Sequence, residues 1–579
     1  MGFLASLGNG LLRARKLKGK IINRQTSTRT ISFIGASLFL GFFCLYLFTA
    51  PAELIGGDEE VLLGTADRIA RHGFTSRQWQ EDDRVFNPKL LDGQGYSKYG
   101  LGQSLLIIPS TWAFRAASSA PGFRGQVFYF LAVFAVPASI GALVNAVFSL
   151  TCLRLGYSLA AAFVSTLLLG LTTLVWPYSQ TLFSDPTLGL LWLLALHGLL
   201  SFKETDKTFW LGISGAVAGF AALTKIIAVY TLPVFAGYLL FLLNMKYRSP
   251  AAIDRGRSLV YAVAWFVLPL LFFACAILWH NNIRHGSLLS FGYIDGNTDT
   301  SRDAEFGFNT PFLAGVYGQL FSSGKGFFFY NASALLAFFG WRRLFRRHPA
   351  ETLTILSIIG GTLLLYSKWW AWPGGWSWGL RFWSCQPPFF MLLGAAFIEK
   401  LLQDLKDRGT GYARSLTAVS LLVTVSFLTQ IPGLCIRSAN YILLAAKADV
   451  LQGKFYDPSG WNVRDDMLQL NFIPEFSPLA GHWWMMRVIY HRNDGNFWEV
   501  YHSPPWKSLN PQWIIKEFDP SFFSYNIWWL NASIIKPAEK LPITITAFLL
   551  LATSITALAG GVRLVRRQAL SSGEHSSSK

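Results

Sequence analysis

Three groups of residues in this 579-residue chain have the types and spacing that proton transfer and anion binding require. The first is Gly57-Asp58-Glu59-Glu60, directly after an apolar run. A carboxylate held there can take the proton of an attacking hydroxyl, provided burial does not neutralise it. The same acids also suit a helix N-terminus, where the dipole favours negative charge. The second group runs from Tyr178 to Pro186 and contains Asp185 before a proline. Asp185 either opens a helix, since proline is favoured at the first helical position, or it shares a site with Asp58. In the shared site one carboxylate serves as base and the other positions an acceptor. The third group is cationic: Lys98 in YSKYG, Lys225 between two short apolar runs, Lys325 in SSGKG, and Arg381 after a Trp/Gly run. An ionisable side chain at membrane depth costs about 2.5–3.5 kcal/mol. Cations recurring in glycine-rich turns therefore point to an anionic ligand such as a phosphate, with snorkelling to lipid headgroups as the other reading.

The run from Lys368 to Arg381 (KWWAWPGGWSWGLR) holds five tryptophans within ten residues. Indoles stack on sugar faces and donate N–H bonds, and they also form interfacial belts; both readings stand. Tyr99, beside Lys98, and Trp376 join the substrate-binding candidates on these grounds. Other chemistries lack their residues. There is no H-E-x-x-H, P-loop or G-x-G-x-x-G pattern, and no D-x-D to hold a nucleotide sugar through a metal. No cofactor is expected, although a divalent metal stays open. His197, alone in an apolar span, reads as a hydrogen-bond partner inside a bundle. The five cysteines show no C-x-x-C or metal-finger spacing; a Cys385–Cys435 disulfide is open if both lie near the outer face.

The elements that must position these residues are apolar. The chain is 52% hydrophobic and only 14% charged, where a soluble domain is nearer a quarter charged. A spanning helix needs about 20 mostly apolar residues. Such runs are read at 31–49, 127–152, 159–176, 184–202, 209–224, 226–244, 258–280, 327–341, 351–368, 383–399, 414–433 and 541–561. The expected fold is thus an all-α polytopic membrane protein of about twelve spans with large outer-face loops. No cleavable signal peptide is evident, and the first run is long enough to be a signal anchor. The net charge of +18 falls in short clusters between runs, such as Arg342, Arg343, Arg346 and Arg347. That distribution is the positive-inside pattern, and it excludes a nucleic-acid partner, for which no basic module stands apart.

The implied organisation is a basic cytoplasmic N-terminus at 1–30, a transmembrane core at 31–433 with its first outer loop at 50–126, an outer region at 434–540, a last span at 541–561 and a cytoplasmic tail at 562–579. Segment 103–117 is expected to lie in the outer interface, because a span there would expose the Arg342–Arg347 cluster. Region 434–540 reads as an outer cap or as surface loops. The tail SSGEHSSSK is expected to be disordered. This places a multi-pass protein in the inner (plasma) membrane, with both termini in the cytoplasm and its chemistry on the periplasmic or exterior face.

Taken in order, Gly57-Asp58-Glu59, Tyr96 to Gly102, Trp176 to Pro186, Ala222 to Lys225, Ser323 to Gly326 and Gly374 to Arg381 resemble the GT-C superfamily of polyprenol-dependent glycosyltransferases. The resemblance is greatest to the bacterial branch of protein O-mannosyltransferase-like and aminoarabinose transferase-like enzymes. It implies a GT-C-like bundle in which Asp58 is the catalytic acid of the first outer loop, with Glu59 beside it and Asp185 as the second acidic position. It also implies phosphate contacts from Lys98, Lys225 and Arg381. The expected activity is inverting transfer of a sugar from a polyprenyl-phosphate donor to a hydroxyl of a glycan, lipid or protein acceptor. The competing classes are a transporter or flippase and a polysaccharide polymerase or ligase. Transporters carry inverted repeats and polar sites at the midplane, whereas here the polar residues crowd one face.

Overall fold

Nearly every apolar run becomes helix in the computed structural model, which describes residues 28–54, 56–74, 97, 99–118, 123–247, 255–291, 307–407, 412–447, 471–501, 503–505, 523–531 and 540–577. In chain order the helices are α1 (Thr28–Phe48), α2 (Gly57–His72), α3 (Leu101–Ser118), α4 (Phe123–Arg154), α5 (Leu159–Thr172), α6 (Val175–Tyr178), α7 (Ser184–Thr205), α8 (Phe209–Thr224), α9 (Thr231–Tyr247) and α10 (Arg255–His285). They continue as α11 (Phe312–Phe321), α12 (Phe327–Tyr330), α13 (Leu336–Arg347), α14 (Pro349–Lys368), α15 (Pro387–Lys406), α16 (Tyr412–Cys435), α17 (Ser438–Lys447), α18 (Pro478–Tyr490), α19 (Phe497–Tyr501) and α20 (Lys540–Ser577). Among the described residues, eight are long and apolar enough to cross a membrane: α1, α4, α7, α9 with the 3-10 turn before it, α10, α14, α16 and α20. Of the other expected spans, α5 and α8 are shorter apolar helices, and α15 carries Glu399, Lys400 and Asp404 in its second half. One hydrophobic core runs through the bundle. In it α1 packs on α4 and α20, α7 on α4 and α8, α8 on α10, and α13 on α15.

Two expected spans are not continuous, and their breaks explain each other. Residues 159–176 divide at Thr173, which is extended (φ −135°, ψ 171°). Residues 327–341 divide at Asn331 (φ −138°, ψ 54°). Backbone freed inside an apolar bundle must find partners, and it does so across the two breaks. Asn331 accepts from Leu174 N at 2.8 Å and donates to Phe327 O at 3.0 Å. Ser426 of α16 donates to Thr172 O at 2.7 Å and accepts from Ser333 N at 3.1 Å. This buried polar knot sets where α6 begins, and so directs the turn that carries residues 179–185. At the other end of the chain the helix also departs from expectation. It runs past 561 to Ser577, through most of the segment expected to be disordered; residues 562–570 contain neither proline nor glycine, and Arg, Gln, Ala and Leu there sustain helix.

The two ends of the bundle differ in chemistry. Asp185 lies in the first turn of α7, while Lys203, near its other end, pairs with Glu351 of α14. Eighteen residues of helix separate the two, about 27 Å at 1.5 Å per residue. Glu351 closely follows the arginine-bearing end of α13, so the Arg342–Arg347 cluster sits at the end opposite Asp185. Arg154–Glu204 and Lys246–Asp206 at 2.9 Å belong to that same far end. His197 also sits toward that end. It accepts from Arg154 Nε at 3.2 Å through Nε2, which leaves Nδ1 as the donor to Thr151 Oγ1 at 3.1 Å: a hydrogen-bond partner within the bundle, as its setting in the sequence suggests.

Parts of 434–540 fold onto the Asp185 end. A second hydrophobic cluster joins Ile436, Tyr441, Trp484, Met485, Tyr501 and Phe523. Gly324 N donates to Asn471 O at 2.8 Å, and Ser477 Oγ donates to Ser323 O at 2.8 Å. Trp528 and Trp529 donate to Leu47 O and Phe48 O, each at 2.9 Å, tying the segment before α20 to the end of α1. All five cysteine thiols are free, so Cys385 and Cys435 are not joined; Cys385 is buried beside α7, against Gly189. Segment 103–117 is helical within α3, packed on α2 and α4.

Candidate active site

Four chain segments meet at one end of the bundle, each bringing one charged side chain. Asp58 is in the first turn of α2, opened by the Glu59 N–H bond to Gly56 O at 3.0 Å. Asp185 is in the first turn of α7, after Phe183 turns the chain at φ −58°, ψ 145°. Both carboxylates therefore enjoy the favourable field of a helix N-terminus. Lys225 caps the end of α8 in extended conformation. Arg381 opens the 3-10 turn Arg381–Trp383, after the Trp/Gly loop.

The charges interlock. Arg381 Nη1 donates to Asp58 Oδ2 at 2.5 Å, and its Nε lies 3.5 Å from Asp185 Oδ2. Lys225 Nζ donates to the other Asp185 oxygen at 2.6 Å. The guanidinium sits 3.8 Å above the Phe183 ring and the ammonium 4.4 Å above that of Phe382. Both are cation–π distances. The two carboxylates differ in access: the Asp185 side chain is 1% exposed and that of Asp58 36%. Asp185 Oδ2 and Arg381 Nε are both buried without a hydrogen-bond partner; they attract across 3.5 Å but do not bond. Burial opposes the charge on Arg381, yet Asp58 and Asp185 outweigh it and raise its proton affinity. Burial also lowers Lys225 from its ordinary value, with Asp185 opposing the shift.

The remaining candidates fall into distinct places. Glu59 is fully buried and accepts from Leu182 N at 2.7 Å, tying α2 to the turn before Asp185. Lys325 is buried, with Nζ bonded to Gly375 O at 2.9 Å and Ser377 O at 2.5 Å. It holds the Trp/Gly loop from beneath, and burial pushes its ammonium down to about 7. Tyr99 follows Lys98, which lies outside the described residues. Arg284 of α10 donates to Ser97 O at 2.8 Å and Tyr99 O at 3.0 Å. Gly100 lets this segment lie against α8, since a Cβ there would meet Thr224 O at 2.5 Å. Trp376 is half-buried against the second hydrophobic cluster. Trp372 and Trp378 are buried at 1% and 3% exposure, so their faces serve packing. The loop needs its glycines: Gly374, Gly375 and Gly379 take φ of 73°, 67° and 59°, the region open to glycine. Among the described residues no three His, Cys, Asp or Glu side chains gather as metal ligands.

Phe183, inside the Tyr178–Pro186 group, and Phe382, next to Arg381, seat the cations, and Arg284 clamps the Tyr99 segment; none of the three is marked out by its own residue type in the sequence. Proximity to charged candidates is the local signal for the two phenylalanines. Arg284 gives none.

No family model matches the chain, and no curated protein matches it. Among solved structures it is similar to the archaeal oligosaccharyltransferase AglB from Archaeoglobus fulgidus, in complex with an inhibitory peptide and a dolichol-phosphate. The TM-score is 0.42 at 14% identity, over 79% of this chain and 63% of that one, so this chain spans less than two thirds of that protein's length. It is also similar to ArnT from Cupriavidus metallidurans bound to undecaprenyl phosphate, with TM-score 0.42 and 14% identity, over 93% of this chain and 78% of that one.

Proposed function

We propose that this chain is an inverting glycosyltransferase that moves a sugar from a polyprenyl-phosphate carrier to an acceptor hydroxyl at the outer face of the membrane. The observation that carries the reading is the cluster of Asp58, Arg381, Asp185 and Lys225 at one end of an apolar bundle. It combines a partly exposed carboxylate with two cations seated on aromatic rings. The basic clusters at the opposite end support placing that end in the cytoplasm.

The reaction makes specific demands on such a site. The acceptor oxygen forms a bond to the anomeric carbon while the bond from that carbon to the phosphate oxygen breaks. The electron pair leaves with the phosphate, so a singly charged diester becomes a doubly charged monoester. The acceptor's proton goes to Asp58, which acts as general base. No acid is needed for a leaving group that is stable as an anion. What the transition state gains is negative charge on phosphate, and cations already in place stabilise charge that develops there more than charge present in the ground state. Arg381 and Lys225 have that role, and Asp185 holds both in position. A glycosidase, by contrast, flanks its bond with two carboxylates; here the second carboxylate is buried and paired.

The test is transfer by the purified protein in detergent, given a panel of polyprenyl-phosphate sugars and hydroxyl acceptors. The reading expects release of polyprenyl monophosphate, with inversion at the anomeric carbon, for at least one donor. Retention of configuration, or equal turnover by Asp58→Asn, would refute it.

A further inference from the structure

We propose that Arg381 masks Asp58 until the donor's phosphate draws the guanidinium away, so that the donor must bind before the acceptor hydroxyl can meet its base. The inference rests on the donor assignment above and adds an order of events to it.

The geometry behind it is the 2.5 Å contact between Arg381 Nη1 and Asp58 Oδ2. An acceptor hydroxyl needs a carboxylate oxygen of Asp58, and a carboxylate bonded to guanidinium is a weaker base than a free one. The two partners of Arg381 are not equivalent. Asp185 is buried and also held by Lys225 at 2.6 Å, so it is a fixed anchor. Asp58 is the more exposed partner, on a separate helix, and is therefore the one an incoming anion can replace.

Arg381 is poised for such an exchange. Its Nε is buried without a hydrogen-bond acceptor, so the present arrangement leaves part of the planar fork unused. A phosphate presents several oxygens to that fork and can take two parallel bonds. The Phe183 face beneath the guanidinium lets it turn in plane without losing its cation–π contact. Once Arg381 has moved to the phosphate, the cation sits where charge develops and Asp58 regains its basicity. Loss of the monophosphate product returns the arginine to Asp58.

Competition for one cation has a measurable signature. Removing Asp58's charge should tighten phosphate binding even though it removes the base. The experiment measures binding of undecaprenyl monophosphate to the purified full chain in detergent, for wild type, Asp58→Asn, Arg381→Gln and the double variant. The expected result is binding about tenfold tighter in Asp58→Asn, the low end for one charge-assisted hydrogen bond. In the Arg381→Gln background the same Asp58→Asn change should have no effect. Arg381→Lys, which keeps a cation, should restore the tightening and so separates the exchange from misfolding of the glutamine variant. If wild type binds and Asp58→Asn binds no tighter, the masking is refuted while the donor assignment stands. Tightening that persists with Arg381→Gln would mean Asp58 acts through its general field, which also overturns the masking. If neither wild type nor Asp58→Asn binds the lipid, the donor assignment itself falls.

Discussion

Arg381 and Asp58 are 323 positions apart in the chain, yet their side chains meet at 2.5 Å. That contact joins the N-terminus of α2 to the end of the Trp/Gly loop, and it makes one arginine the link between both carboxylates. The consequences can be measured residue by residue.

Replacing the proposed base is the most direct perturbation. Asp58→Asn keeps the side-chain volume and removes the proton acceptor, so turnover at saturating donor should fall by about two orders of magnitude or more, the scale of general-base loss. Folding should persist, because Asp58 is a partly exposed member of its pair. Initial transfer rates with the best donor of the panel decide the matter. Near-normal rates in Asp58→Asn, with none in Glu59→Gln, would move the base to the neighbouring residue.

Glu59 should behave as a positioning residue. Its carboxylate accepts the Leu182 N–H, and a glutamine oxygen can accept the same bond. Glu59→Gln should therefore keep most activity and an unshifted pH profile. Glu59→Ala would leave a buried donor unsatisfied, a cost of about 1–3 kcal/mol, and the Phe183–Asp185 turn would lose its hold. Thermal unfolding and transfer rates of the pair give the comparison, and equal losses in both variants would contradict this role.

Lys325 makes the stability pH-dependent in a defined direction. Its ordinary value of 10.5 is lowered to about 7 by burial, with Arg381 adding to the effect. Between those values the unfolded chain holds a proton that the folded chain does not, so stability rises with pH across that window. The neutral amine still has two N–H groups for Gly375 O and Ser377 O. Unfolding midpoints from pH 7 to 10 should rise for wild type relative to Lys325→Met. A constant difference between the two proteins would show that Lys325 does not titrate there.

Orientation can be read by labelling. Cysteines introduced at Glu60 and Asn493 belong to the Asp58 end, and cysteines at Arg343 and Lys406 to the opposite end. An impermeant thiol reagent added outside whole cells should modify the first pair and spare the second. Labelling at Arg343 from outside would invert the proposed orientation.

The amino-acid order alone determined that this is a helical membrane protein and which ionisable residues stand beside its apolar runs. Hydropathy over some twenty residues and short basic clusters are local properties, and they survive folding unchanged. Asp58, Asp185, Lys225 and Arg381 were legible for the same reason: each is an ionisable residue in a turn next to an apolar run. Tertiary structure alone decided how they are used. Burial and partner choice come from contacts between distant segments, and neither leaves a period in the sequence. So Glu59 and Asp58, adjacent and chemically alike, separate into a buried tie to Leu182 and a partly exposed partner of Arg381. Lys325, in a glycine-rich turn that suits phosphate, instead bonds the carbonyls of a loop fifty residues on. The breaks at Thr173 and Asn331 look like continuous apolar helix locally, because each is stable only where the other supplies its hydrogen-bond partner.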